Sequence, residues 1–575
     1  MADDKSSKSR VAIVAVVLAV IIAIGLLIWW CGSRKPAGDA DNTKERGGRV
    51  ATILAVNDIY RIDGVGEKQI GGLHRLRTLR KTVEKEAGKV LLLHAGDFLS
   101  PSLESRVFKG EQMIDAMNNL DGDPKKFDAR MFVTFGNHEF DDSNCLSTPA
   151  PLNARIDESQ FTWLNANLDF PNCASMKDVM AHKNVKRTAI VDLGGIKFGL
   201  FGIGLTYDPR DPKRYPKFGD IYESARAAIK ELRAKKVDVV VALTHLERQD
   251  DEMLVRSLAD YGLDLLIGGH DHAHMTIEDT SGKKRGFKAD SDAKTAWRIE
   301  VRIPQKGKVE FRESLVPLDG NKPETAADET IEKLAKKWTA QAEAKFCALR
   351  KQANREPNGD KCLQQLAGST QFDIKLEEAD NRETETDFGK WIAGIVREKT
   401  NADVAIVNAG ILGLNTNLDK GSKLLYQQVV DIFRYDDVVA VRKASPKAVC
   451  AAIRHGFGKP GTGGWPHVSG VSAEGDSSSP KAVLEKWKGV IKRSNGAPLD
   501  CADDKPTLTV ASVPYLLCGG DEYQPMVDDN EKSPTCMDAL KRNPMKEPGA
   551  PAAQFISSMA EDAFRAAGTA GIKLP

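Results

Sequence analysis

Five short motifs carry residues that could do metal chemistry, and each follows an apolar run. Asn57-Asp58-Ile59-Tyr60 follows Val50–Val56, Gly96-Asp97 follows Val90–His94, and Gly136-Asn137-His138-Glu139-Phe140-Asp141 follows Met131–Thr134. Thr244-His245 closes the run Val237–Leu243, and Gly268-Gly269-His270-Asp271-His272 follows Leu263–Ile267. Carboxylates mixed with imidazoles form a donor set suited to Mn, Fe, Co or Zn. Singly, each residue has a plainer reading: an Asp after a strand caps the next helix, and a lone His sits in a core or on a surface. Jointly the plain readings fail. The chain has only 10 histidines, and His138, His245, His270 and His272 all fall at these strand ends. Glycine before a ligand lets the backbone turn tightly.

Ligands so far apart in sequence need a scaffold that gathers strand ends. The apolar runs, with Thr188–Val191 and Phe198–Ile203, read as strands, and Leu73–Glu84, Ile221–Lys235 and Glu252–Tyr261 read as helices between them. Such alternation predicts an α/β domain with a largely parallel core, and open α/β sheets place sites at the carboxyl ends of their strands. We assign this domain to residues 49–324. Residues 325–366, with the Lys/Glu/Ala-rich stretch Asp328–Lys345, read as a connector helix. A second α/β domain is expected over 367–575, with strands at Val404–Val407, Val438–Lys443 and Thr507–Ser512 and surface loops at Gly461–Gly464 and Asp476–Ser479.

Charge names no partner. Lys plus Arg total 82 against 81 Asp plus Glu, so no net field recruits a nucleic-acid polymer. Compartment is better marked. Val11–Cys31 carries no charge and is long enough for a membrane-spanning helix, with Trp29 and Trp30 where an interfacial belt would lie. No small-x-small cleavage site follows it, and the bulky Trp30 before Cys31 argues against a lipoprotein. The expected order is a cytoplasmic 1–10, a single anchor at 11–31, a polar tether at 32–48, and the bulk periplasmic or extracellular. Eight cysteines follow Cys31, an even number that permits four disulfides in an exported chain. Cys347 with Cys362 is the expected pair; the other pairings stay open. The absence of an N-x-S/T sequon favours a bacterial periplasm over a glycosylating route.

The motifs, in this order, resemble the calcineurin-like metallophosphoesterase superfamily, and the forms NDxx, GNHEFD and GGHxH resemble its 5′-nucleotidase branch. The resemblance implies a four-layer β-sandwich flanked by helices, holding two divalent metal ions (Mn, Zn, Co or Fe). Asp97 would bridge them. One ion would take Asp58 and His272, the other Asn137, His245 and His270. His138 would be catalytic, with Asp141 orienting its imidazole. Two such cations lower the pKa of a water between them and offset charge in an in-line displacement, while His138 would stabilise the phosphoryl group or protonate the leaving oxygen. One residue departs from the family. Its first motif is D-x-H, but Tyr60 stands at the His position, either a bystander or a phenolate ligand.

From Arg382 onward the chain resembles the 5′-nucleotidase C-terminal domain. Arg382-Glu383-Thr384-Glu385-Thr386-Asp387-Phe388-Gly389 is similar to its R-x-x-E-x-N-x-G opening, and Val404–Gly410 to the strand before NGGGIR. Phe433–Val439 resembles the PF-x-N segment, and Val513–Tyr523 resembles NDFLAxGGDGY. By this resemblance Arg382 would hold phosphate, Tyr435 and Tyr515 would sandwich a base, and Asn408 and Asp521 would contact ribose or base. Core packing is the plainer reading of both tyrosines. The arginine of NGGGIR is absent from Asn408–Gly413. The expected activity is therefore hydrolysis of nucleoside 5′-monophosphates. The alternatives are another phosphoester, such as a phosphodiester or nucleotide sugar, and an inactive tethered binding protein on the same fold.

Overall fold

The computed structural model of the protein describes residues 48–66, 69–143, 145, 150–170, 173, 175–205, 217–414, 416–433, 435, 437–474, 490–523, 526, 536 and 555–567. The expected anchor at 11–31, nearly all of the tether and the loop Asp476–Ser479 lie outside the described residues. Among the described residues no helix is long and apolar enough to cross a membrane. Val50–Val301 with Phe311–Pro575 form one compact unit, which holds the sites below; Arg302–Glu310 group with the residues up to Arg49 in another.

Ile53, Leu54, Ala55 and Val56 are almost fully buried, as a continuous apolar run must be when a parallel sheet is covered on both faces. Their strand, Gly48–Val56, pairs in parallel with Val90–His94, that strand with Met131–Thr134, and the next with Thr162–Leu164. The register sets Val56 beside His94 and His94 beside Val133, so three strands end on one edge, and Asp58, Asp97 and Asn137 follow there. In a second sheet Val239–Thr244 runs parallel to Ile196–Ile203 and Leu265–Gly268, with Thr244 beside both Ile203 and Gly268. That edge delivers His245 and the His270–His272 turn. The sheets meet face to face: the Ala166 N–H donates to the Gly202 carbonyl at 2.8 Å, where a Cβ on Gly202 would stand 2.3 Å from the Leu164 carbonyl oxygen. Helix Leu73–Ala87 packs on the first sheet, and Ile221–Ala234 and Arg248–Leu258 on the second. Helix, sheet, sheet and helix make the four expected layers.

Strands that the sequence reading left unassigned extend the sheets, among them Lys284–Lys288, Thr295–Pro304 and Glu310–Pro317. Charged residues interrupt all three, and Glu310–Pro317, at the edge of its sheet, is at least partly exposed throughout, so no continuous apolar run marks them. The expected connector is the helix Glu329–Gln352, capped by the Asp328 carboxylate, which accepts from the Thr330 and Ile331 N–H groups. It is more than a link. Trp338 lies edge-on to Phe108 with ring centroids 4.8 Å apart and donates to Asp115 at 2.9 Å, so the helix packs on the first domain.

Beyond it, a mixed sheet runs in the order Ala440–Ala444, Leu508–Ser512, Val404–Asn408 and Pro466–Ser469. Helix Asp387–Thr400 covers it. The last helix, Ile556–Ala567, sets Phe564 against Trp391 at 5.0 Å and Glu561 against the buried Arg350 at 2.9 Å. The expected Cys347–Cys362 disulfide is present, as are Cys145–Cys173, Cys450–Cys501 and Cys518–Cys536.

Candidate metal centre

Left-handed backbone at non-glycine residues is uncommon and strained, yet four of the expected ligands adopt it: Asp58 at φ 52°, Asp97 at 59°, His270 at 82° and His272 at 61°. Each lies just past a strand end, where the chain must turn its side chain inward. Gly136 shows how close the loops come, because a Cβ there would lie 2.1 Å from the Asp97 Oδ1 atom.

The ligand atoms converge in two groups that share Asp97. Asp97, His245 and His270 form one, Asp58, Asp97 and His272 the other, with the donor atoms of each within 4.8 Å of one another. In the first, His245 Nε2 stands 3.1 Å from Asp97 Oδ2 and 3.2 Å from Asn137 Oδ1, and His270 Nδ1 lies 3.2 Å from the same Asn137 oxygen. In the second, His272 Nε2 is 3.2 Å from Asp58 Oδ1. Asp97 Oδ1 accepts the His138 N–H at 2.8 Å, leaving Oδ2 to face the ligand atoms. His245 Nδ1 sits 2.7 Å from the Ala95 carbonyl, which fixes Nδ1 as the donor and turns the Nε2 lone pair inward.

Asp58, Asp97 and His245 are at most 1% exposed. Burial penalises charge on all three, but they compensate one another. The His272 and His245 imidazoles hold Asp58 well below the usual carboxylate range, and His245 and His138 lower Asp97. Against the pull of burial, Asp97 and Asp58 raise His245 to about 10. Buried carboxylates this close together need cations, and the hard oxygens and imidazoles fit transition-metal ions or zinc.

His138 flanks the cluster, its Nδ1 2.9 Å from Asp141 Oδ2 and its Nε2 3.8 Å from Asp97 Oδ2. Tyr435 reaches it: the phenol oxygen lies 3.4 Å from His138 Nδ1, and the rings are stacked with centroids 6.1 Å apart. Asn408, Tyr515 and Asp521 come together in a second cluster. Asn408 Nδ2 donates to Asp521 Oδ2 at 3.2 Å, and the Tyr515 hydroxyl donates to Asp521 Oδ1 at 2.8 Å. Burial raises the Asp521 carboxyl against these donors. Arg382 has its Nη2 2.9 Å from Oε1 of Glu378, the residue that also contacts His272, and its charge acts on the Asp521 carboxyl.

Residues 51–274 match the calcineurin-like phosphoesterase family, and residues 365–529 match the 5′-nucleotidase C-terminal domain. The chain belongs to this two-part phosphoesterase family. It is 25% identical over 510 residues to the trifunctional nucleotide phosphoesterase protein YfkN of Bacillus subtilis, covering 82% of this chain but 32% of that much longer one. It is also 25% identical over 547 residues to Protein UshA of Salmonella pullorum, covering 88% of this chain and 92% of that one. A 5′-nucleotidase precursor from Thermus thermophilus has the same fold, with a TM-score of 0.66 at 23% identity, over 87% of this chain and 98% of that one.

Residues that the motifs did not mark as functional surround these ligand groups. Glu139 is 2% exposed and accepts four backbone N–H groups: Gly136 at 2.6 Å, Asp97 and Phe98 at 2.9 Å each, and Leu99 at 3.2 Å. It staples the Asp97 turn to the Asn137 turn. Burial and the Asp97 charge push it up to about 7, opposed by those donors. Lys288, 1% exposed, lies 2.8 Å from the buried Asp251, contacts Asp271, and donates to the Leu246 and Gly269 carbonyls at 2.8 and 3.0 Å. It pins the turn that carries His270 and His272. Glu378, from the second domain, binds His272 Nδ1, which leaves Nε2 facing Asp58. Glu139 stood in a quoted motif; the partners of Glu378 and Lys288 lie too far away in sequence to have been signalled.

Proposed function

We propose that the protein hydrolyses nucleoside 5′-monophosphates to nucleoside and phosphate, using a pair of metal ions that share Asp97. The reading rests on one observation: a single carboxylate, Asp97, is common to both ligand groups. Asp58 and His272 would hold one ion, and Asn137, His245 and His270 would hold the other. When bound, such ions supply Lewis acidity toward the phosphoryl oxygens and acidify an attacking water. The protein's own groups do the rest. Glu139 and Lys288 fix the turns so that the ligands need not reorganise. His138, oriented by Asp141, donates to the phosphoryl group or protonates the leaving oxygen. Tyr435, stacked beside His138, and Tyr515 offer flat faces to a base, and Asn408 with Asp521 offer polar contacts to the nucleoside. A cavity lined by Tyr60, Arg61, Leu103, Arg106, Leu414 and Phe433 adjoins the centre. The domains are those assigned above, 49–324 for catalysis and 367–575 for substrate binding. Four disulfides support an oxidising compartment outside the cytoplasm, to which the 11–31 span would anchor the protein.

A second reading keeps the chemistry and changes the substrate. The usual arginine is missing from Asn408–Gly413, and Arg382 is held by Glu378, so the phosphate clamp is weaker than in a dedicated nucleotidase. A nucleotide sugar or other phosphoester then becomes the substrate.

Reconstituting the protein with Mn, Zn, Co or Fe and following phosphate release from AMP and a panel of esters separates the two. AMP turnover supports the first, turnover of other esters alone the second. Asp97→Ala should lose at least about 10³-fold in rate together with bound metal. Retention of both would remove the shared-carboxylate centre from consideration.

A further inference from the structure

We propose that Tyr60 is itself a metal ligand, and that the position formed by Asp58, Tyr60, Asp97 and His272 selects a trivalent ion, ferric iron, beside a divalent ion at the His245–His270 position. This rests on the metal-centre reading above and deepens it.

The phenol oxygen stands 2.9 Å from His272 Nε2, 3.3 Å from Asp58 Oδ1 and 3.5 Å from Asp97 Oδ2. Asp58, Asp97 and His272 are the members of one ligand group. With bonds of about 2.0–2.1 Å, donors around one ion lie about 2.9–3.4 Å apart, so the phenol oxygen sits where a fourth donor belongs. The ring is also held in place. It is 7% exposed, lies edge-on to His138 at 5.9 Å and tilted against His272 at 5.6 Å, and the Tyr60 N–H is fixed by Asp292 at 3.1 Å.

Charge then separates the two positions. Asp58, Tyr60 and the shared Asp97 bring three anionic oxygens to one ion, and Glu378 behind His272 adds electron density to the fourth donor. The other position has the shared Asp97 and otherwise neutral donors: Asn137, His245 backed by a carbonyl, and His270, whose Nε2 meets the half-exposed Glu247 at 3.4 Å. Buried negative charge favours the higher-charged cation, and hard anionic oxygens favour a hard ion. On binding, the Tyr60 O–H bond breaks, the proton leaves to solvent, and the oxygen lone pair goes to the ion. Iron enters already ferric, so no electron moves.

The test uses the full chain, stripped of metal and given one equivalent each of ferric iron and zinc. A phenolate ligand gives iron a visible charge-transfer band that zinc cannot contribute. We expect the band in the wild type and its loss in Tyr60→Phe, with unchanged far-UV circular dichroism. Ferric retention against a competing chelator should fall at least about tenfold in that variant. Tyr60→His should hold two divalent ions and stay colourless. Iron bound without the band, or the same spectrum in wild type and Tyr60→Phe, overturns the ligand assignment but leaves the metal centre standing. Failure of the wild type to bind any metal overturns both.

Discussion

At the scale of single residues, the centre depends on groups that touch no substrate. Glu378 holds His272 through Nδ1 and is itself held by Arg382. Carboxylates behind metal-bound imidazoles fix the ring and raise its basicity, and losing one costs about 10–100-fold in metal affinity or activity. Glu378→Gln should therefore weaken metal retention at the Asp58–His272 position by about that factor, with Glu378→Asp recovering part of it. Metal titration monitored by competition would show it, and undiminished retention in the Gln variant would leave Glu378 with a packing role only. The ligands themselves were legible in the sequence because each sits within a few residues of a strand end, most of them near a glycine. Glu378 was not, because it reaches His272 from 106 residues away. Arg382 was legible from its motif, while its pairing with Glu378 was not.

Elements place these residues by register. The Val56–His94–Val133 alignment brings three strand ends to one edge, and that much followed from apolar runs followed by Asp, Asp and Asn-His. The margins did not follow. In Glu310–Pro317 every residue is at least partly exposed, so no apolar run marks the strand. At the centre the tight demand between elements falls on Gly136, where the third strand's turn passes the Asp97 carboxylate. Gly136→Ala would drive a methyl group into Asp97 Oδ1, and the carboxylate or the turn must give way. Metal content and phosphate release should both drop by at least about tenfold, since displacing a catalytic group by an ångström can cost about 10²-fold. The secondary structure should be preserved by circular dichroism. Normal metal content in this variant would mean that the loops are looser than they look.

Across the whole molecule, distant segments depend on one another. The helix Glu329–Gln352 packs on the first domain through Trp338 and reaches the last helix through Arg350, whose guanidinium is 6% exposed against Glu561 at 2.9 Å. Removing one partner of a buried ion pair costs about 3–5 kcal/mol. Truncation before Ile556 should therefore lower thermal stability sharply and expose Trp391, and Glu561→Gln should reproduce part of the loss. A truncated protein melting like the full chain would show that this pair contributes little. The sequence announced the connector as a charged helix, but nothing local revealed what would cover its buried stripe of Ile331, Ala335, Trp338 and Ala342. The four disulfides bear on how the protein must be produced. Eight half-cystines can combine in roughly a hundred ways, and only one combination matches this structure. Material made in a reducing cytosol would have to sort those combinations afterwards, so an oxidising host with an isomerase is the sounder source for every measurement above.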